Sequence, residues 1–372
     1  MSIRRRAAET QRKFFLSLCL GASASMIVPA HGQQLTCSRD QCEAVLHGTA
    51  PACTRLRIEA HGTVTLESGA AKQLSYTLKI AVSARDAAEA RRLIESWPVH
   101  ISSQGEWATV KAMGGAVMSV LSVDAPRLDA AEIVTAVGSV RANGVAGTLE
   151  IRTGAGNIDV GRAGGAVHCT TGVGRVSLDS AGGPATLETN LGDIVAREAG
   201  GAVEAQTGGG DVRIGTAWGP VTAMSGGGEI SVGKATGIVT LRNMAGPVQV
   251  GSAAGIRCDS ASGGVRLANI AGPIRVATSM GNIMASLSGG GLSNSYLATG
   301  FGDITVVIPS NLGVTIQAED DMADTVQRIV SDFAALQPRR QGTRIVAAGP
   351  VNGGGPLLQI SGMGGTIFIK RQ

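Results

Sequence analysis

From Gly138 onward the chain repeats a pattern of apolar and polar positions every nine residues. Glycine stands at 138, 147, 156, 165, 174, 183, 192, 201, 210, 219, 228, 237, 246, 255 and 264. Two and four residues beyond each glycine through Gly246 the side chain is apolar or small, as in Val140/Ala142, Ile158/Val160, Val176/Leu178, Ile194/Ala196, Val212/Ile214 and Ile230/Val232, and from there the set continues one residue earlier as Ile256/Cys258 and Val265/Leu267. The residue between them is mostly polar, as in Arg141, Asp159, Ser177 and Ser231. In-out-in over three residues is the period of a strand with one buried face. Glycine and small residues between the strands supply tight corners. A unit this short buries nothing alone, whereas stacked units bury a continuous core.

The pattern also has a doubled period. The residue after the glycine is Ala166, Pro184, Ala202 or Pro220 in one half, and Asn157, Arg175, Asp193, Asp211 or Glu229 in the other. Two nine-residue halves then make an 18-residue coil. The predicted fold is all-β: a right-handed parallel β-solenoid with two back-to-back parallel sheets, a small α+β N-terminal cap and a mixed C-terminal cap. The repeats span 138–289, with one residue deleted near Ser252–Ala254. That makes about eight coils and, at roughly 4.8 Å per strand, a stack about 40 Å long.

The caps are read as 54–137 and 290–372. Strands alternate at Leu56/Ile58, Val64/Leu66 and Leu74–Ile80 and return at 99–110 and 117–123. Between them, Ser83-x-x-Asp86 resembles a capping box opening a helix through Ser96, stopped by Pro98. In the C-terminal cap Met322, Val326, Ile329, Val330 and Phe333 are spaced for a helix within Asp320–Leu336, with a loop carrying an edge strand as the alternative.

The reiterated GNIDV, GDIVA, GDVRI, GEISV and GDITV units, the step FGDITVVIP at 301–309, SDF at 331–333 and the ending NGGG…GGTIFIK resemble the putative-adhesin domain family of exported bacterial proteins. The resemblance covers about residues 54–372. It implies an exported β-solenoid without an established activity, and an adhesin-like role by name alone.

The ends and the charge agree with export. Arg4, Arg5, Arg6, Arg12 and Lys13 precede an apolar stretch from Phe14 to Ala30, and Ala30-His31-Gly32 offers a small-x-small cleavage site. Residues 1–32 therefore read as a signal peptide, with an uncleaved membrane anchor as the alternative. The expected destination is the periplasm or the cell surface. Five of the 32 basic residues and one of the 28 acidic residues lie in that segment, which leaves 27 of each and no net charge. Nothing in this balance calls for nucleic acid as a partner. The segment 33–53 carries Cys37, Cys42 and Cys53, of which two are expected to pair in an oxidising compartment. Cys169 and Cys258 sit at inward positions five coils apart, about 24 Å, and are expected to stay free thiols.

Residues arranged for chemistry are few. Aromatic residues are scarce (five Phe, two Tyr and three Trp), and no metalloprotease, nucleophile-elbow or dinucleotide motif is present. Gly228–Ala235, GEISVGKA, is one residue short of a phosphate-binding loop, but its middle falls on a strand, and the position that would hold magnesium is Ala235. A calcium β-roll would need an Asp in a fixed turn column that small and apolar residues fill here. The chain is thus expected to use no cofactor, metal or nucleotide, and to be no enzyme.

Two surface clusters remain. Asp193, Asp211 and Glu229 share a column and could bind a cation, or could be turn residues bonding their own backbone. Arg257 and Arg275 lie one coil apart on one face, with Arg266 on the other, and could receive an acidic glycan or a phosphate. The functional expectation is a non-enzymatic, monomeric, exported cell-envelope protein. It would be an adhesin-like binding or structural module whose partner is a cell-surface glycan or an envelope protein. A parallel β-helix polysaccharide lyase or hydrolase is the alternative, although such enzymes build grooves from loops that the uninterrupted ladder lacks. A self-associating envelope scaffold is the second alternative.

Overall fold

The computed structural model describes residues 24–26, 31–38, 41–95, 99–114, 118–321 and 328–372. Most of the expected signal peptide lies outside them, as do Met322 and Val326.

Strands that share an inward pattern stack in parallel, 18 residues apart. In one sheet Leu149 pairs with Val167, Val167 with Ala185, Ala185 with Val203 and Val203 with Val221. In the other, Val140 pairs with Ile158, then Val176, Ile194, Val212 and Ile230. Among the described residues the first sheet has 18 strands and the second 17. Between them lies a continuous core that includes Ile151, Leu187, Leu241, Leu178 and Val232, each at most 1% exposed.

Each strand turns a third side chain inward that the nine-residue pattern hides. In the second sheet it is an alanine: Ala163, Ala181, Ala199, Ala217 and Ala235 are all buried. In the first sheet it is a polar column of Thr135, Thr153, Thr171, Thr189, Thr207, Ser225 and Asn243, none more than 6% exposed. These side chains donate to the carbonyls of the corner glycines one coil back. Thr171 Oγ1 reaches Gly156 O at 2.9 Å, Thr189 Oγ1 reaches Gly174 O at 3.0 Å and Ser225 Oγ reaches Gly210 O at 2.8 Å. The buried hydroxyls are thereby satisfied and the corners tied to their neighbours.

The one-residue deletion has a consequence for the glycine ladder. Val239 pairs with Ile256 and Val248 with Val265, a step of 17. The corner glycine after Gly246 is therefore Gly263 (φ 127°) rather than Gly264, and Gly255 sits inside a strand opposite Ile238. The last two rungs of the nine-residue count lie one residue past the true corners.

Both ends of the stack are interleaved. The coil formed by Arg55–Ala60 and Thr63–Ser68 lies between Ala130–Asn143 on one side and Trp107–Ala112 with Met118–Ala125 on the other. At the far end, Leu357–Gly362 pairs with Ser295–Phe301 on one edge and Val314–Asp320 on the other. Ile367–Arg371 likewise sits between Ile304–Ile308 and Ile329–Ser331. The C-terminal strands thus slot into the stack beneath a coil made earlier in the chain. Antiparallel strands finish each end. Leu74–Ser83 and Gln41–Ala50 extend the second sheet, Val99–Gln104 the first, and Arg344–Val351 closes the C-terminal side.

Two cap expectations are corrected. The helix runs Ala87–Glu95, and its cap is Asp86, whose Oδ1 accepts from the N–H groups of Ala88 and Glu89 at 2.9 and 2.8 Å. The Glu89 carboxylate accepts in turn from Arg85 N at 3.0 Å, so the reciprocal cap sits three residues later than Ser83-x-x-Asp86 suggests. In the C-terminal cap Ile329–Ser331 is an edge strand, not a helix, because pairing with Ile367–Ile369 satisfies its backbone.

Candidate functional site

The outward column of the first sheet changes character along the stack. Its N-terminal half carries Glu132, Glu150 and Glu204, and its C-terminal half runs Thr222, Thr240, Arg257, Arg275, Tyr296 and Gln359 in direct register. Arg257 and Arg275, singled out from the sequence by their one-coil spacing, are therefore neighbours on adjacent strands. Arg266 lies on the opposite sheet, between Gln249 and Met284.

The remaining arginines of the ladder mostly have acidic partners. Arg57 meets Glu132 at 2.7 Å, Arg175 meets Asp193 at 3.3 Å, Arg197 meets Asp179 at 3.5 Å and Arg213 meets Asp211 at 2.6 Å. Arg152 pairs with Glu150. Among the described residues, Arg257 and Arg275 have no carboxylate within 4.0 Å and no hydrogen-bonded partner.

The two arginines line a groove of about 560 Å³ with Thr222, Thr240, Tyr296 and Gln359, flanked by Pro220, Ile238, Pro273, Asn294 and Leu357. A three-residue insertion builds one wall, since Arg275 pairs with Tyr296, 21 residues on instead of 18. The inserted loop is fastened down. Ser295 Oγ accepts from Ile274 N at 3.0 Å and donates to Ser293 O at 2.7 Å, and Asn294 Oδ1 accepts from Leu357 N at 3.1 Å. The groove is pre-organised by bonds within and between coils. Beside it, on the same face, Met224, Met244, Ala261 and Ala277 line a more apolar groove of about 770 Å³ that also contains Arg242 and Asp259.

The acidic column is a staircase of backbone bonds. Asp193 Oδ1 accepts from Asp211 N at 3.1 Å and Asp211 Oδ1 accepts from Glu229 N at 2.8 Å. The same step recurs from Asn157 to Arg175 N, from Asn282 to Asp303 N and from Asp303 to Thr366 N, at 2.8 to 2.9 Å. These side chains bond the backbone of the next coil rather than their own. Glu229 is further engaged by Gln249 Nε2 at 3.1 Å. Both oxygens of Asp193 and Asp211 are engaged, by the N–H of the next coil and by Arg175 and Arg213, and among the described residues no group of three His, Cys, Asp or Glu is placed to hold a metal ion.

The phosphate-loop look-alike is also structural. Ile230–Ala235 is a strand, Ala235 is a core residue at 4% exposure, and the ammonium of Lys234 lies 5.1 Å from the centre of the Trp218 ring. Trp218 Nε1 donates to Glu198 Oε1 at 3.2 Å.

Cys37 and Cys42 form a disulfide across the hairpin of His31–Ser38 and Gln41–Ala50, where they are register partners. Cys53, half-buried, is free, as are the buried Cys169 and Cys258 in the first sheet. Burial raises the thiol of Cys169 far above its ordinary range. Burial, reinforced by the Asp259 charge, pushes Cys258 up to about 12.

No protein-family model matches this chain, and no curated protein matches it. Among the solved structures similar to it are two described as follows. One, from Clostridium sporogenes ATCC 15579, is described as a putative cell adhesion protein. It shares 10% identity at a TM-score of 0.24, over 89% of this chain and 100% of that one. The other is a putative adhesin from Bacteroides fragilis NCTC 9343, with 12% identity and a TM-score of 0.36, over 60% of this chain and 95% of that one. Overlaps this distant add nothing to the fold, which rests on its own strand pairing.

Proposed function

We propose that the protein is an exported, non-catalytic, adhesin-like binding module that holds an anionic ligand in the groove of Arg257 and Arg275. One observation carries the reading: two guanidinium groups on adjacent strands share a groove without a counter-charge among the described residues. Like charges at neighbouring cross-strand positions are destabilising. For two exposed charges held near the strand spacing of roughly 4.8 Å the repulsion is about 1 kcal/mol in water. A bound anion removes that penalty and accepts bidentate bonds from both forks.

Several features support the remainder of the reading. The basic and apolar start of the chain suits export, and no helix among the described residues is long and apolar enough to cross a membrane. From Val140 to Met280 the corners stay short, which leaves no loops with which to build a catalytic cleft. Antiparallel strands cover the parallel stack at each end, and the outermost Arg339–Gln341 strand presents exposed charge. Such edges disfavour end-to-end assembly, in keeping with a monomer.

The test is a glycan array probed with wild-type protein and with the R257Q/R275Q double variant. Binding confined to anionic glycans and lost in the variant is the expected result. Equal binding by both proteins would refute the site.

A further inference from the structure

The groove is a line rather than a point. Thr222, Thr240, Arg257, Arg275, Tyr296 and Gln359 follow one another in register, so the site spans five strand spacings, about 24 Å at roughly 4.8 Å each. A compact anion such as phosphate is held by donors that converge, commonly backbone N–H groups at a corner or helix end. Here the corner N–H groups beside the column are engaged within the stack: Ile256 N bonds Pro273 O at 2.8 Å and Ile274 N bonds Ser295 Oγ at 3.0 Å. What remains for a ligand is a row of side chains.

The order of that row is informative. Two cations are followed by the half-buried ring of Tyr296, with Gln359 next in the row and Asn294 two residues before the ring in the chain. Asn294 has its carbonyl oxygen tied to Leu357 N, which directs its remaining hydrogen-bonding capacity to the NH₂ donors. Gln359 is the register partner of Tyr296 on the next strand. A ring with an apolar face and a polar tip, in one groove with two amides, suits the alternating C–H and hydroxyl surface of a sugar. Pro273, Ile238 and Leu357 extend the apolar flank.

Charge density narrows the class. Among the described residues two unpaired cations face the 24 Å row, and the same column turns acidic at Glu204, two strands before Thr240. A long polyanion of any kind would carry negative charge into that acidic half, so the row suits a short charged stretch, and a polyphosphate has no apolar face to set against Tyr296. A short run of sugar acids brings two carboxylates to the arginines and presents hydroxyls and C–H faces to Tyr296 and the amides. We infer that the ligand is an acidic polysaccharide bearing ring carboxylates, laid along the stack so that one sugar rests on Tyr296 and neighbouring carboxylates meet Arg275 and Arg257. This inference rests on the anion reading above.

Isothermal titration with full-length mature protein tests it, using an oligogalacturonate, its methyl ester and inorganic polyphosphate as probes. Bonds to charged groups are worth about 1.5–3 kcal/mol, so R257Q/R275Q is expected to bind the free acid at least roughly tenfold more weakly. Methyl esterification should weaken binding similarly. Y296A should weaken the oligogalacturonate and leave any residual polyphosphate binding unchanged. All three side chains are on the outer face, and circular dichroism checks that the variants keep the strand signal. Polyphosphate binding tighter than oligogalacturonate binding and indifferent to Y296A would overturn the sugar-acid inference while leaving the anion reading intact. No binding of either anion would overturn both.

Discussion

Gly192 sits at a corner with φ 146°, and a β-carbon added there would come within 2.1 Å of the carbonyl oxygen of Gly174, the corner glycine one coil back. Gly174 O already accepts the buried hydroxyl of Thr189 at 3.0 Å, so it cannot retreat without breaking that bond. Gly192→Ala therefore combines a backbone conformation open essentially to glycine, which costs about 1–3 kcal/mol, with displacement of a packed corner. A total of about 3 kcal/mol is expected, which corresponds to roughly 4 °C in thermal midpoint for a chain of this length. Gly227→Ala is the control. Gly227 is exposed, lies outside the left-handed region, and its added β-carbon would meet nothing within 4 Å. Its substitution should stay within about 0.5 kcal/mol of wild type. Because a solenoid loses structure coil by coil, thermal melting should be paired with hydrogen exchange, which should show lost protection around 174–209 in G192A. If the two variants melt at the same temperature, the close approach of corner glycines is not what fixes the ladder.

Thr189→Val keeps the shape of a buried side chain but removes the donor to Gly174 O; urea unfolding should show a loss of about 1–2 kcal/mol, and Thr189→Ser should recover most of it. Asp211→Ala should cost about 1–2 kcal/mol through the lost acceptor for Glu229 N and the lost contact to Arg213, whereas Asp211→Asn keeps the acceptor. Adding calcium or a chelator should move neither midpoint, and a calcium-dependent midpoint abolished in D193N/D211N would show that the column binds a cation. The raised thiol of Cys258 favours the neutral form in the folded state. Its contribution is full below the unfolded thiol value near 8.5 and is lost as pH rises toward about 12. Stability measured from pH 8 to 11 should fall less in Cys258→Ala than in wild type. Deleting 356–372 removes buried Leu358, Ile360, Ile367 and Ile369 and leaves Ser295–Ile308 without its neighbour; light scattering should show aggregation through the opened edges.

The coil was legible because its cause is local. In-out-in pairs such as Ile158/Val160 and Val176/Leu178 name their own buried face, and the alternation of Asp193-type and Pro184-type residues gives the 18-residue period. The buried threonine column escaped the nine-residue frame, which superposes Thr171 on Arg162, Glu198 and Lys234. In the coil these belong to opposite sheets, Thr171 inward and Lys234 outward. The interleaved ends were not legible. They pair residues as far apart as Leu56 and Ala131, or Tyr296 and Gln359, and no periodicity crosses such intervals. The same holds for the groove. The spacing of Arg257 and Arg275 announced the cations, while Tyr296 and Gln359 joined them through the three-residue insertion and the inserted C-terminal strand.

The most direct test of the account is a crystal structure of the mature protein with a short oligogalacturonate. The account predicts a chain of sugars along the first sheet, carboxylates on the guanidinium groups of Arg257 and Arg275, and a ring against Tyr296. A ligand seated elsewhere, on the Trp218 corner or along the Asp193–Glu229 column, with this groove left to solvent, would contradict it.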